Sequence, residues 1–449
     1  MADRASQSEP QRGPRHKTRL SPRSAACPGS PEAALKTFIA DFTDPRPIGV
    51  AVSGGSDSTA LLVALAEVAA DRPIIALTVD HGLRAASPAE AAAVGALCRS
   101  LGVKHVTLSW TGEKPKSGLQ AAARVARYGL LAAAAERYGL AAIATAHTAD
   151  DQAETLEMRR TRHAAPIEPT SGNHLYIPGL TGIPPATLYN ERVWFVRPLL
   201  MCRRGDLQAY LRLNGVGWIE DPSNADRRFE RVRVRQDGVK PVAGLAPLWA
   251  ERAARSAAVA QVLDAGCRRL ATDRFELVLP GVGQDIAAGA LAACIDMAGG
   301  RLRQPDRAGR AKLMMLARGN AAMPVTLGRV LVHSRGPGYL LRRERRNVLP
   351  ISVAAGAEEI FDGRFRIRNA GRSAVQVLGG GEDGILPELS CTEGGQGVPC
   401  GHVMLERLCG RASRLLPVFD TAQAAALARL AERTPFAACP WTGWAKAAP

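Results

Sequence analysis

The sequence predicts an α/β protein with a doubly wound parallel sheet, and three observations carry that expectation. From Pro47 onward, short apolar runs alternate with longer amphipathic ones. Segments of that length between strands imply right-handed βαβ units and a parallel sheet. Polar residues also collect directly after the apolar runs, at the strand ends where such sheets bind ligands.

The run IGVAV (48–52) reads as a buried strand and Asp57 to Ala70 as the helix after it. PIIALTV (73–79) is the next strand. SPAEAAAVGALCRSLG follows as a helix, with Ser87 as N-cap, Pro88 at the first helical position, Glu90 two residues further on and Gly102 past its end. KHVTLSW (104–110) gives a third strand, Gly118 to Tyr138 a long helix closed by Gly139, and AAIATA (141–146) a fourth strand. The first, second and fourth strands run into Ser53-Gly54-Gly55-Ser56-Asp57-Ser58, Asp80-His81-Gly82 and His147-Thr148-Ala149-Asp150-Asp151.

After Pro222 the alternation is lost. RRFERVRVRQ (227–236) is strongly basic and residues 244–275 are Ala-rich and helical in pattern. FDGRFRIRNAG (361–371) alternates like a half-exposed strand, with Phe365 and Ile367 opposite Arg364, Arg366 and Arg368, which are read as a solvated face. LGGGEDG (378–384) reads as a loop. The expected organisation is a basic disordered tail at 1–30, an α/β domain at 31–235, a helical region at 236–345 and a small α+β domain at 346–449.

At 449 residues the chain is long enough for several domains with cores of their own. Lys and Arg outnumber Asp and Glu 58 to 42, a formal +16, which suits a polyanionic partner and equally suits an arginine-rich soluble surface. The nine cysteines include no Cys-x-x-Cys pair, so neither a zinc knuckle nor a redox dithiol is signalled. No apolar run approaches the roughly 20 residues that span a bilayer, and no secretory leader is visible. A cytoplasmic protein without membrane contact is expected; a homodimer is left open.

The loop after the first strand carries the chemistry. Paired glycines and small hydroxyls, Ser53, Gly54, Gly55, Ser56 and Ser58, let backbone N–H groups surround a phosphate while the helix N-terminus adds partial positive charge. No Gly-Lys-Ser/Thr follows and no G-x-G-x-x-G is present, so this is neither a Walker A loop nor a dinucleotide fingerprint. A carboxylate beside a phosphate nest needs an intervening cation, which makes Asp57 a candidate Mg²⁺ ligand. A plain strand-to-helix turn capped by Ser56 or Asp57 is the competing reading.

The SGGSDS motif resembles the PP-loop of the ATP pyrophosphatases, which split ATP into AMP and pyrophosphate and use the adenylate to activate an oxygen for attack by nitrogen or sulfur. VDHGLR (79–84), LQAAARVARY (119–128), TAHTADDQAET (145–155), GLTGI (179–183), RPLL (197–200) and WIEDPSNADRRFERVRVR (218–235) are, together and in this order, similar to the tRNA(Ile)-lysidine synthase family. The resemblance covers the segment 46–235. It implies a PP-loop catalytic domain and a helical tRNA-binding region, with ATP, Mg²⁺, L-lysine and a CAU-anticodon isoleucine tRNA as cofactors and partners. The implied reaction joins lysine to C2 of the wobble cytidine.

On that reading Ser53 to Ser58, Asp80 and His81 hold the nucleotide. Asp57, Arg124 and His147 are catalytic, supported by Arg127 and Arg84. Asp151 and Glu154, three apart and so on one helical face, grip the lysine ammonium, the alternative being an acidic cap on the helix dipole. Arg227, Arg228, Arg231, Arg233 and Arg235 face the tRNA backbone. The family's short Gly-rich step is replaced here by RRTRHAAPIEPTSGNHLYIP (159–178). Another AMP-forming PP-loop ligase, a tRNA thiolase or a small-molecule amide synthetase, is the alternative enzyme; an RNA-binding protein with an inert nucleotide fold is the alternative that is not one.

Overall fold

The computed structural model describes residues 30–69, 72–84, 86–162, 181–220, 228, 230–239, 245–270, 273–279, 281–301, 305–319, 323–381, 384–391 and 402–445. The tail expected at 1–30 (save Ser30), most of the 160–178 stretch and Arg227 lie outside the described residues. The first body contains α1 (Pro31–Ala40), β1 (Ile48–Ala51), α2 (Ser56–Val68), β2 (Ile74–Asp80), α3 (Ser87–Ser100), β3 (Lys104–Ser109), α4 (Leu119–Arg137), β4 (Ala142–Ala144), α5 (Ala149–Arg162), β5 (Ala186–Tyr189), β6 (Val193–Val196), α6 (Arg204–Leu213) and α7 (Glu230–Gln236).

Strands β3, β2, β1, β4 and β6 lie side by side and parallel, and β5 runs antiparallel along β6. The two-residue period of a strand sorts their side chains between the two faces. Ala76, Ala142, Ala144, Trp194 and Val196 pack with α1, α2, α3 and α6, whereas Ile75, Leu77, Ile143, Val193 and Phe195 pack against α4. Helices therefore cover both faces, as the alternating pattern predicted. Ser87 is the first helical residue of α3 and Ala86 precedes it as N-cap, so the expected cap stands one residue too late.

Residues 245–343 form α8 (Leu245–Gly266), β7 (Cys267–Arg269), β8 (Phe275–Val278), α9 (Gln284–Gly299), α10 (Arg307–Ala317), β9 (Val325–Leu327), β10 (Val330–Arg335) and β11 (Gly338–Arg343). The helical pattern is thus joined by a five-stranded antiparallel sheet in the order β7-β8-β11-β10-β9. Its inward residues, among them Phe275, Leu277, Val330, Val332, Tyr339 and Leu341, share a core with α9. Of these strands β7, β8 and β9, three or four residues long, are too short for their alternation to stand out beside long Ala-rich helices.

Beyond them lie β12 (Ile351–Val353), β13 (Glu358–Phe361), β14 (Phe365–Asn369), β15 (Val375–Gly380), β16 (Leu386–Cys391) and β17 (Val403–Arg407), then β18 (Leu415–Pro417) and α11 (Thr421–Leu430). Two three-stranded antiparallel sheets result, β12-β15-β16 and β13-β14-β17. The glycines expected as a loop partly finish β15, and only Gly381, at φ +74°, begins the turn toward β16.

The arginine stripe corrects the sequence reading. Arg364 and Arg366 are buried, at 0% and 5% exposure, and only Arg368 is exposed. Arg364 binds Asp362 (2.6 Å) and Asp273 (2.9 Å), and Arg366 binds Glu191 (2.9 Å) and Glu406 (2.5 Å). Asp273 also accepts from Arg407, and Asp362 from Arg343 at 2.8 Å. Alternation reads these arginines as facing water because, apart from Asp362, their acidic partners Asp273, Glu191 and Glu406 lie far away in the chain.

The end of the chain returns to the first body. β18 pairs antiparallel with β5, completing a seven-stranded sheet, the Trp194 indole donates to the Ala437 carbonyl at 3.2 Å, and Trp441 meets Phe38 edge-on at 5.3 Å. Among the described residues no helix is long and apolar enough to cross a membrane. Asp273→Asn keeps the side chain's shape but leaves Arg364 and Arg407 short of a charge partner. Breaking a buried pair of this kind should cost on the order of 3 kcal/mol, read as a lower urea midpoint with unchanged slope.

Candidate active site

Where β1 ends, the chain turns through Ser53–Gly55 into α2. Gly54 has φ +87°, and a Cβ there would meet Ile219 Cδ1 at 2.6 Å, so both backbone and packing call for glycine. The Gly54 carbonyl accepts from Ile219 N–H (2.9 Å) and the Thr59 hydroxyl (3.1 Å). Ser53 N–H donates to Ser58 Oγ, and the Ser58 hydroxyl donates to the Gly55 carbonyl, each at 3.1 Å. Side chains thus hold the loop from beneath. Gly55 sits at the N-cap of α2 without a capping side chain, leaving the helix's partial positive charge at the mouth.

Asp57 lies in the first turn of α2 and accepts from the Ser56 hydroxyl at 3.1 Å and from Arg204 Nε at 3.0 Å. Burial raises its carboxyl above the ordinary aspartate value, outweighing the pull of Arg204. Arg204, the first residue of α6, also reaches Asp151 (3.1 Å) and Glu154 (3.5 Å), while its backbone N–H donates to Asp150 at 2.7 Å. Together these contacts bring the loop carboxylate and the α5 carboxylates around one guanidinium.

Asp151 and Glu154 share one buried face of α5, as their spacing predicted. Asp151 accepts from Thr148 N–H at 2.8 Å and from its hydroxyl at 3.1 Å. Arg231 of α7 binds both acids at 2.6 Å, and Arg235 binds Glu154 at 2.7 Å. Burial works to raise the Glu154 carboxyl, but hydrogen bonds from Arg235 and Arg231 hold it below the ordinary value. Two arginines expected on the RNA face therefore grip the carboxylates expected to hold lysine.

Of the other arginines in that run, Arg228 and Arg233 are exposed and the Arg233 guanidinium donates to the Arg228 carbonyl at 3.0 Å. On α4, Arg124 and Arg127 lie over the Tyr128 ring at 5.2 and 5.6 Å. His147, whose Nδ1 is 3.1 Å from the Thr145 hydroxyl, is pushed well below the ordinary imidazole value by burial and then by Arg197, Arg127 and Arg124. It is neutral at physiological pH. The expected basic group thus gathers around an uncharged imidazole.

Asp80 closes a turn by accepting from Gly82 N–H at 2.8 Å, and His81 is held below its ordinary value by burial and then by Arg127. Arg84 stands apart from the expected catalytic role in an exposed pair with Glu90 at 2.8 Å.

Two residues of this region escaped the sequence reading. Arg197, 5% exposed, donates to Thr187 Oγ1 (3.1 Å) and to the Pro184 carbonyl (2.9 Å). Its place in the RPLL motif was the available signal. Arg204 carried none, since nothing local links CRRGDL to acids some 50 or 150 residues earlier in the chain.

A family model described as a PP-loop domain matches residues 30–241. The chain is 38% identical over 441 residues to a protein of Mesorhizobium japonicum named tRNA(Ile)-lysidine synthase, covering 88% of this chain and 94% of that one. It is likewise 38% identical to the protein of that name from Rhizobium meliloti, covering 76% of this chain and 78% of that one, and 36% identical to that of Brucella melitensis, covering 75% and 77%. Likeness of this extent, running well beyond the PP-loop domain, shows that the chain belongs to the tRNA(Ile)-lysidine synthase family of PP-loop proteins.

Proposed function

We propose that the protein joins L-lysine to C2 of the wobble cytidine of CAU-anticodon isoleucine tRNA, in the cytoplasm and at the expense of ATP. The cytidine O2 attacks the α-phosphorus of ATP, the bond to the β-phosphate bridging oxygen breaks, and pyrophosphate leaves. A lysine amine then attacks C2, the C2–O2 bond breaks, AMP departs with that oxygen, and the amine loses a proton. The observation that carries this reading is Arg204, which places Asp57 of the phosphate loop and the Asp151–Glu154 pair within reach of one side chain.

Each residue follows from its chemistry. Ser53 to Ser58 and the α2 N-terminus receive pyrophosphate. Asp57 supplies one carboxylate to Mg²⁺, which offsets phosphate charge when bound. The Asp57 carboxylate, held by the Ser56 hydroxyl and Arg204, would be this chain's donor to that ion. Asp151 and Glu154 hold an ammonium group of lysine. Arg124 and Arg127 face the adenylate phosphate, and neutral His147 adds no further positive charge beside them.

Sulfur chemistry is disfavoured by the thiols. Cys98 and Cys202 are buried, and burial pushes them up to about 11 and about 12, which leaves little thiolate to attack an adenylate. For RNA, a cleft of about 590 Å³ between the first body and α8, α9 and α10 sets Arg159, Arg252, Arg255, Arg310, Arg411 and Arg414 against Asp296 and Asp420. That surplus suits a phosphate backbone.

The deciding experiment is mass spectrometry of the wobble nucleoside after incubation with ATP, Mg²⁺, L-lysine and a CAU-anticodon isoleucine tRNA transcript. A lysine adduct on that cytidine, absent when lysine or ATP is omitted, is expected. An unmodified cytidine despite release of AMP would point to another acceptor. Asp57→Asn should slow AMP formation by about 100-fold or more while leaving tRNA affinity nearly unchanged; an equal loss of both would assign Asp57 to folding.

A further inference from the structure

The carboxylates assigned to lysine already hold cations of the chain's own. Asp151 and Glu154 are contacted by three guanidiniums, from Arg204, Arg231 and Arg235, at 2.6 to 3.5 Å. Arg231 and Arg235 sit directly on these carboxylate oxygens at 2.6 and 2.7 Å, so an ammonium group takes that place only as an arginine gives it up. Space gives the same answer. The pocket beside Glu154, lined also by Asp150, Arg203, Arg204 and Arg235, measures about 80 Å³, about half the roughly 150 Å³ of a cavity that holds benzene.

The three arginines are not equally placed to move. Arg204 is 19% exposed in its side chain, is tied to Asp57 as well, and stands on a backbone held by Asp150. Arg231 and Arg235 are 39% and 34% exposed, lie four apart on one face of the two-turn helix α7, and belong to a run whose neighbours Arg228 and Arg233 are exposed. A helix this short has little stability of its own and depends on its docking contacts. Those contacts join the buried Val232 side chain to the ion pairs of Arg231 and Arg235, and phosphate oxygens compete for the guanidiniums with a matching fork geometry.

We propose that α7 is a built-in competitor for the lysine site: Arg231 and Arg235 occupy Asp151 and Glu154 until phosphates of the RNA substrate take the two guanidiniums, so lysine enters an RNA-loaded site. This rests on the assignment of Asp151 and Glu154 to lysine. The device keeps lysine away from ATP when no cytidine is present to receive it. By linkage, lysine must then tighten RNA binding by the same factor that RNA tightens lysine binding.

Calorimetric titration of L-lysine into the full chain tests it, in four arms: protein alone, with a CAU-anticodon isoleucine tRNA transcript, with a non-hydrolysable ATP analogue and Mg²⁺, and with both. The transcript is expected to tighten lysine binding by about tenfold or more, and the nucleotide analogue alone to leave it weak. Arg235→Gln, which frees one of the two contacts of α7 on Glu154, is expected to bind lysine without RNA more tightly than the unaltered protein does without RNA. Equal lysine affinity with and without the transcript overturns the proposal, and so does opening by the nucleotide analogue alone. The unaltered protein decides these points even if the variant does not fold. Lysine binding in no arm, including both additions together, would instead remove the lysine assignment on which the proposal stands.

Discussion

Arg204 begins α6 and meets carboxylates carried by two other helices, Asp57 on α2 and Asp151 and Glu154 on α5. Asp151 and Glu154 are 7% and 2% exposed. An ionised carboxylate removed from water without a partner carries a penalty of several kcal/mol, so such a pair either takes up a proton or finds a cation. Here the cation is supplied by residues distant in sequence. Supplying it draws the N-terminal ends of α2, α5 and α6 toward one point above the carboxyl ends of β1 and β4. The site's geometry follows from the need to neutralise those acids.

The same requirement organises the far end of the molecule. Asp273, Asp362 and Glu191 are buried acids, each met by more than one arginine, and Glu191 accepts from Arg366 and from Arg433, whose contact is 2.7 Å. Glu191 lies in the turn between β5 and β6, so Arg366 on β14 and Arg433 after α11 tie the small sheets to the catalytic sheet. β18 adds a main-chain connection by pairing with β5. Sheet edge and ion pairs together hold the end of the chain against the body that carries the site.

Much of the first body is legible in the sequence. Strands β1, β2, β3 and β4 and the helices between them fall where apolar runs and glycines placed them, one residue off at the Ser87 cap, because both faces of a parallel sheet are covered and its inner strands are continuously apolar. The PP-loop motif was legible for a similar reason. Gly54 needs a positive φ beside Ile219, and Ser58 and Thr59 hold the loop from within a few residues, so the chemistry is written in neighbouring letters. The spacing of Asp151 and Glu154 likewise placed both on one helical face.

What failed to show in the sequence involves partners far apart along it. Arg364 and Arg366 alternate with apolar residues as a solvated stripe would, yet they are buried because Asp273 and Glu191 arrive from elsewhere. Arg231 and Arg235 read as a basic surface for RNA, yet in this structure they close the carboxylate pair, and Arg204 carries no local signal of its partners. The amino-acid sequence by itself determined the parallel strands β1 to β4, the phosphate loop and the family, since local periodicity and backbone conformation dictate those. The tertiary structure alone decided which cation meets which carboxylate, because an ion pair depends on distance in space and leaves no period in the chain.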